Sequence, residues 1–161
     1  MKIAIIYHSQ TGNTENVAKN ILEGVKQVEG IEVKSMNINN IDEPFVSEAK
    51  AVVIGCPTYS ATYSWQIKKW FDTSRLNLAG KLGGLFATGA VVGGGADIAE
   101  LGMAGMMLTR GMLVYSAGHA SGMPITHLGA VALNNGEEWQ MNRATVLGQR
   151  VAEKAMELFG N

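Results

Sequence analysis

The chain has 161 residues, 47% of them hydrophobic and 17% charged, with a formal net charge of −1. Length and composition point to one ordered domain, 1–161, able to bury roughly 70% of its unfolded surface without staples. The near-neutral balance argues against a nucleic-acid or anionic-membrane partner, the single Cys56 excludes an intrachain disulfide or CxxC site, and no apolar run approaches the ~18 residues of a membrane span, so a cytoplasmic location is the default.

Residues 2–7, KIAIIY, read as a buried strand. Residues 14–28 read as a helix with Val17, Ile21, Val25 and Val28 on one face, Ala18 and Leu22 beside them, and a stop at Gly30. IEVKSMNI is a second strand, and AVVIG (51–55) a third, apolar throughout as a strand covered on both faces should be. The segment 64–74 has helical spacing at Ile67, Trp70, Phe71 and Ser74, and GGLFATGA (83–90) is a fourth strand. The next helix, from Ala96, is expected to turn Ile98, Leu101, Gly105 and Leu108 inward. GMLVYSAG (111–118) is the fifth strand. A final helix, capped by Asn142 and ended by Gly160, carries Ala144, Leu147, Gly148, Val151, Ala155 and Leu158 on its inner face, with Gly148 allowing close packing. Strands alternating with helices five times predict an α/β three-layer sandwich around a five-stranded parallel sheet in the order 2-1-3-4-5. Ligands of such sheets bind outside the carboxyl ends of the strands. The informative segments 8–14, 56–62, 87–95 and 118–130 fall there.

The turn after the first strand packs Ser9, Gln10, Thr11, Gly12, Asn13 and Thr14 together with no lysine or arginine. A strand–turn–helix unit offers free backbone N–H groups and the positive end of a helix dipole, and Ser9, Thr11 and Thr14 add hydroxyls. About six hydrogen bonds at roughly 1.5–3 kcal/mol each would hold a phosphate dianion without a cation, as an upper bound. GxxxxGK[ST] and GxGxxG are both missing here, which argues against a triphosphate or dinucleotide site and for a phosphomonoester. The alternative is a plain capped helix start.

SQTGNT resembles the S/T-x-T-G-x-T phosphate loop of flavodoxins. IGCPTYSATYSWQIKKWFD, GKLGGLFATG, GGG, RGM, THLGAVA and GQRVAE resemble, in the same order, segments of the WrbA family of NAD(P)H:quinone oxidoreductases. The resemblance spans nearly the whole chain. It implies a flavodoxin-like fold and FMN as cofactor, with residues 9–14 on the phosphate. Pro57, Thr58, Tyr59, Ser60, Ala61 and Thr62 would run along the ring, and Thr88, Gly89, Ala90, Val91, Gly93 and Gly94 would meet its pyrimidine edge. Small residues at 60, 61, 89, 93 and 94 suit close approach of backbone to a flat ring. The chain reads TRGM where that family often carries His-His-Gly-Met, so Arg110 stands in place of the second histidine.

What the resemblance implies for function is an NAD(P)H-dependent oxidoreductase passing electrons through FMN to a quinone or similar small acceptor, with no obligatory acid or base. The alternatives are a one-electron carrier between protein partners and a non-catalytic FMN-binding module. His119, His127 and Arg110 are the substrate-pocket candidates. Tyr59 either lines or stacks on the ring, and His8 either serves the phosphate or simply ends the strand. Cys56 reads as a small buried hydrophobe, Trp70 and Phe71 as core, and Tyr63 and Trp65 as packing or subunit contacts. No acidic residue accompanies the histidines at ligand spacing, so no metal is expected. A homodimer or homotetramer is left open.

Overall fold

In the computed structural model, which describes residues 1–119 and 122–160, strand β1 (Lys2–Tyr7) leads into helix α1 (Asn13–Val25) and strand β2 (Glu32–Asn37). A short helix α2 (Glu43–Glu48), started by Asp42 accepting the Phe45 N–H at 3.0 Å, precedes strand β3 (Ala51–Tyr59). The order continues with β4 (Thr62–Tyr63), α3 (Trp65–Thr73), β5 (Leu82–Gly89) and α4 (Ala96–Thr109). It closes with β6 (Leu113–Val114), β7 (Ala130–Leu133) and α5 (Glu138–Phe159).

The sheet runs β2-β1-β3-β5-β6, with β7 pairing the other half of β5 and β4 hooked antiparallel onto the end of β3. Counted as one split strand, β6 and β7 give the expected order 2-1-3-4-5 and the flavodoxin-like arrangement. Alternation sorts the side chains. Ile3, Ile5, Tyr7, Ala51 and Val53 face α1 and α5, whereas Ala4, Ile6, Val52, Ile54 and Cys56 face α3 and α4. Strands apolar on both faces need a helical layer on each side.

The layer made by α1 and α5 is held at backbone distance. A Cβ on Gly24 would lie 1.9 Å from the Thr145 carbonyl oxygen, and one on Gly148 would lie 2.0 Å from that of Ile21. Close packing at Gly148 is therefore what the structure shows.

Four expectations are corrected. The inner face of α4 is Ala99, Glu100, Met103 and Met107, while Ile98, Leu101 and Leu108 are exposed. The helix is apolar on both sides, so its pattern does not define a phase. The fifth strand is not 111–118. Ala117 and Gly118 both take positive φ, the chain leaves the sheet, and it rejoins at Gly129, where a Cβ would fall 1.7 Å from the Leu85 carbonyl oxygen. Fully buried Arg143 from α5 donates to both ends of the break, to Ser116 O and Gly129 O at 3.0 Å each. Helix α5 starts not at Asn142 but after Glu137, in a reciprocal cap with Gln140. Leu158, expected inward, is exposed at the helix end.

Replacing Gly148 with alanine should raise helix propensity yet lower stability by about 1–3 kcal/mol, because the added methyl meets a backbone carbonyl. Urea denaturation of the purified chain checks this, and an unchanged or raised midpoint would contradict it.

Candidate functional site

The carboxyl ends of β1, β3, β5 and β7 converge on a cavity of about 190 Å³. Its walls are Gln10, Thr11, Asn13 and Thr14 from the first turn, Pro57, Thr58 and Tyr59 from β3, Thr88, Gly89 and Ala90 from β5, and Asn134. Gly12 adopts the left-handed conformation (φ 96°) that starts α1, and no side chain caps the helix. The Ser9 hydroxyl instead accepts the Gly12 N–H at 3.1 Å. The opening N–H groups of α1 are thus left for a ligand, with the helix dipole behind them. The capped-start alternative does not describe this turn. The buried hydroxyls of Thr14 and Thr88, 2.7 Å apart, join the helix start to the end of β5. The one acid in the first turn, Glu15, is paired with Lys19 at 2.8 Å.

The second wall is a hairpin. Ser60 and Ala61 both have positive φ (48° and 66°), as a two-residue loop between antiparallel strands requires, and β3 folds back there into β4. Such backbone is strained in a non-glycine residue and collects at functional sites. The segment after β5 touches this turn: a Cβ on Gly95 would lie 2.2 Å from the Ala61 carbonyl oxygen, next to Val91, Gly93 and Gly94, which like Ser60, Ala61 and Thr62 stand beside the cavity and do not line it. The Tyr59 hydroxyl donates to Gln10 Oε1 at 2.9 Å and ties the first wall to the second. Thr62 pairs with Tyr59 in the hairpin.

Two residues at the site carry little signal in the sequence. Asn134 lines the cavity with φ 53°, and its N–H donates to the Gly89 carbonyl at 2.8 Å. Its trace was the turn-forming pair NG at 135–136 after an apolar run. Gly95 starts α4 in a run of three glycines, with nothing in the sequence to single it out.

The substrate-pocket candidates lie elsewhere. Arg110 is corrected outright: it stands at the far end of α4, where its guanidinium donates to the carbonyls of Phe71, Ser74 and Leu76 and so ties down the chain between α3 and β5. His119 and His127 meet each other edge to face at 5.5 Å, both exposed, and neither lines the cavity. Among the described residues no three His, Cys, Asp or Glu side chains converge. His8 sits edge-on to Tyr59 with both ring nitrogens buried and unpartnered, and burial pushes its pKa down, so the ring is neutral. Cys56 is fully buried with its thiol 3.7 Å from the Met103 sulfur, and burial pushes its pKa up to about 11, so it is an unreactive apolar group. Phe71 is core with half-buried Trp70 against it, Tyr63 packs on Gly102, and Trp65 is exposed.

A mononucleotide flavin fits this donor set: hydroxyls and uncapped N–H groups for a phosphate, and two backbone-rich loops in mutual contact for a flat ring. The arrangement defines a mononucleotide-binding α/β protein with its site at the carboxyl edge of the sheet. Residues 5–100 match the family model described as Flavodoxin. The chain is 48% identical to a flavodoxin of Clostridium saccharobutylicum over 99% of its own length and 100% of that protein's. It is also 28% identical to an NAD(P)H dehydrogenase (quinone) of Archaeoglobus fulgidus, over 98% of each chain. In structure it resembles a flavodoxin, WrbA-like protein from Agrobacterium tumefaciens, with a TM-score of 0.80 at 23% identity over 97% and 98% of the two chains. The chain belongs to the flavodoxin family, and its cofactor is FMN.

Beneath the site, Glu100 is buried with neither carboxylate oxygen in a normal hydrogen bond. Burial first, and then the charge of Asp97, push its pKa up to about 8, against the pull of Arg143. The folded state therefore holds a proton that the unfolded chain releases near the ordinary value of 4.5. Stability should fall as pH rises from about 4.5 to about 8 and level off beyond. Glu100→Gln should flatten that slope in denaturation midpoints measured across the range. A wild-type slope retained in the variant would show that Glu100 is not its source.

Proposed function

We propose that this flavodoxin is a carrier that moves electrons one at a time between protein partners. Residues 9–14 hold the FMN phosphate, Pro57–Thr62 run along the ring, and Thr88–Gly94 meet its pyrimidine edge. The observation that carries the proposal is the composition of the cavity wall. It carries no charged side chain, only hydroxyls, amides, Pro57, Ala90, the Tyr59 ring and backbone, while the three side chains expected to receive a second substrate lie away from it. The 48% identity to a flavodoxin over nearly the full chain supports the same reading.

The bound FMN supplies the redox chemistry. The chain's own groups bind and orient it. Thr11 and the first N–H groups of α1 receive the phosphate charge. The Thr14–Thr88 contact keeps that helix end in register with β5, and the Tyr59–Gln10 bond holds the ring loop against the phosphate loop. No side chain is asked to move a proton, in keeping with the neutral His8 and protonated Cys56.

A second reading, an NAD(P)H-fed reductase of a quinone or similar acceptor, draws on the relative at 28% identity and on the net charge of −1, which steers weakly toward a basic protein partner. Anaerobic spectroscopy of the FMN-loaded chain separates the two. The carrier should ignore NADH and NADPH and take up electrons from dithionite in two distinct one-electron stages. Rapid bleaching by either nucleotide would establish the reductase instead. Independently, Thr11→Val should weaken FMN binding by roughly ten- to a hundredfold, the worth of one hydrogen bond to a charged group, in a fluorescence-quenching titration. Unchanged affinity would remove Thr11 from the phosphate site.

A further inference from the structure

The strained turn at Ser60 and Ala61 is carried by a hairpin only two residue pairs long, Thr58 with Tyr63 and Tyr59 with Thr62. Backbone in such a conformation persists where its surroundings over-determine it. Helix α4 supplies that support at two glycines. Gly95, at the start of the helix, lies against the Ala61 carbonyl. Gly102, seven residues or about two turns further along, lies against the Tyr63 ring. A Cβ there would fall 2.3 Å from Cε1 of that ring and 2.4 Å from Cδ1.

Tyr63 has leverage on the cavity although neither it nor Gly102 lines it. Its partner across the hairpin is Thr58, and Thr58 and Tyr59 both stand in the cavity wall. Thr58 is hemmed from its other side, where a Cβ on Gly89 would lie 3.2 Å from its Oγ1. Tyr59 is tied to Gln10 at 2.9 Å. A push on Tyr63 is therefore passed to the wall that faces the ligand.

We propose that Gly102 and Tyr63 are positioning residues for the cofactor: the Tyr63 ring, seated on the bare backbone of α4, is a strut that sets where Thr58 and Tyr59 stand against the flavin, and so sets the flavin's affinity and potential. Any side chain at 102 displaces the strut. Carbon atoms in ordinary contact are about 3.5 Å apart, so a methyl there drives the Tyr63 ring back by roughly 1 Å. Alanine is also the better helix former, so a loss on this change does not come from the helix itself. The inference rests on the placement of the flavin along 57–62 given above, and holds for a carrier and a reductase alike.

Gly102→Ala, Tyr63→Ala and the two combined test this, with Gly105→Ala as the control, since nothing lies within 4 Å of the point its Cβ would occupy. On the FMN-saturated chain, the amide resonances of Thr58 and Tyr59, the visible circular dichroism and the midpoint potential of the flavin are recorded beside the FMN dissociation constant. Gly102→Ala should move both amides, weaken FMN binding by roughly tenfold, and shift the dichroism and the potential, which a loss of fold stability alone would leave in place. Tyr63→Ala removes the strut without a clash, should act on the flavin in the same way, and carries the test if the first variant folds poorly. Both changes act through one contact, so the combined variant should bind FMN no worse than the weaker-binding single variant. Gly105→Ala should change nothing. Unmoved amides in Gly102→Ala, losses that multiply in the combined variant, or an equal effect of Gly105→Ala would overturn the strut. Amides that move while affinity, dichroism and potential stay as in the wild type would instead refute the placement of the flavin along 57–62, and with it the strut's hold on the cofactor.

Discussion

Burial of β1, β3 and β5 on both faces is the constraint from which the rest follows. Ile3 through Ile6, Ala51 through Ile54 and Leu82 through Ala87 have no wet side, so the sheet must be roofed by helices above and below. Roofing a parallel sheet obliges every connection to cross back over it, and so places every strand-to-helix turn at the same carboxyl edge. The cavity is the meeting point of those turns. Its polarity follows as well: helix starts point their N–H groups into it, and an anion is the natural guest.

The sequence was legible wherever a segment had one environment. KIAIIY and AVVIG read as buried strands, and SQTGNT, with hydroxyls crowded around a glycine, marked the turn into α1 that opens on the cavity. It misled where a segment faced two environments. On α4 both faces are apolar, so periodicity selected the outer row as the core. Around 115–129 the apolar pattern of YSAG suggested a continuing strand, but positive φ at Ala117 and Gly118 ends it, and that preference is invisible at an alanine. Arg110 looked functional by comparison with a histidine motif, yet its guanidinium is consumed by three main-chain carbonyls, a partnership between segments 34 to 39 residues apart that no local pattern reveals.

The break in the fifth strand also explains the most costly residues of the core. Where β6 stops and β7 has not begun, main-chain carbonyls lose their ladder partners, and buried polar groups without partners are expensive. Arg143 answers two of them from α5, and its charge in turn tolerates Glu100 nearby. That charge on one side and a proton on the other keep the interruption bearable close to the cofactor cavity.

The contact between α1 and α5 has a further consequence for how the chain is made. Gly24 and Gly148 bring the first and the last helices together at backbone distance, although most of the sequence separates them. On a ribosome, the faces of Ile3, Ile5, Val17 and Ile21 emerge first and wait several seconds, at ordinary elongation rates, for residues 138–159 to cover them. During that interval the nascent chain exposes its stickiest surface. The hydrophobic layer that makes the finished sheet secure is therefore also the one most in need of a chaperone during synthesis.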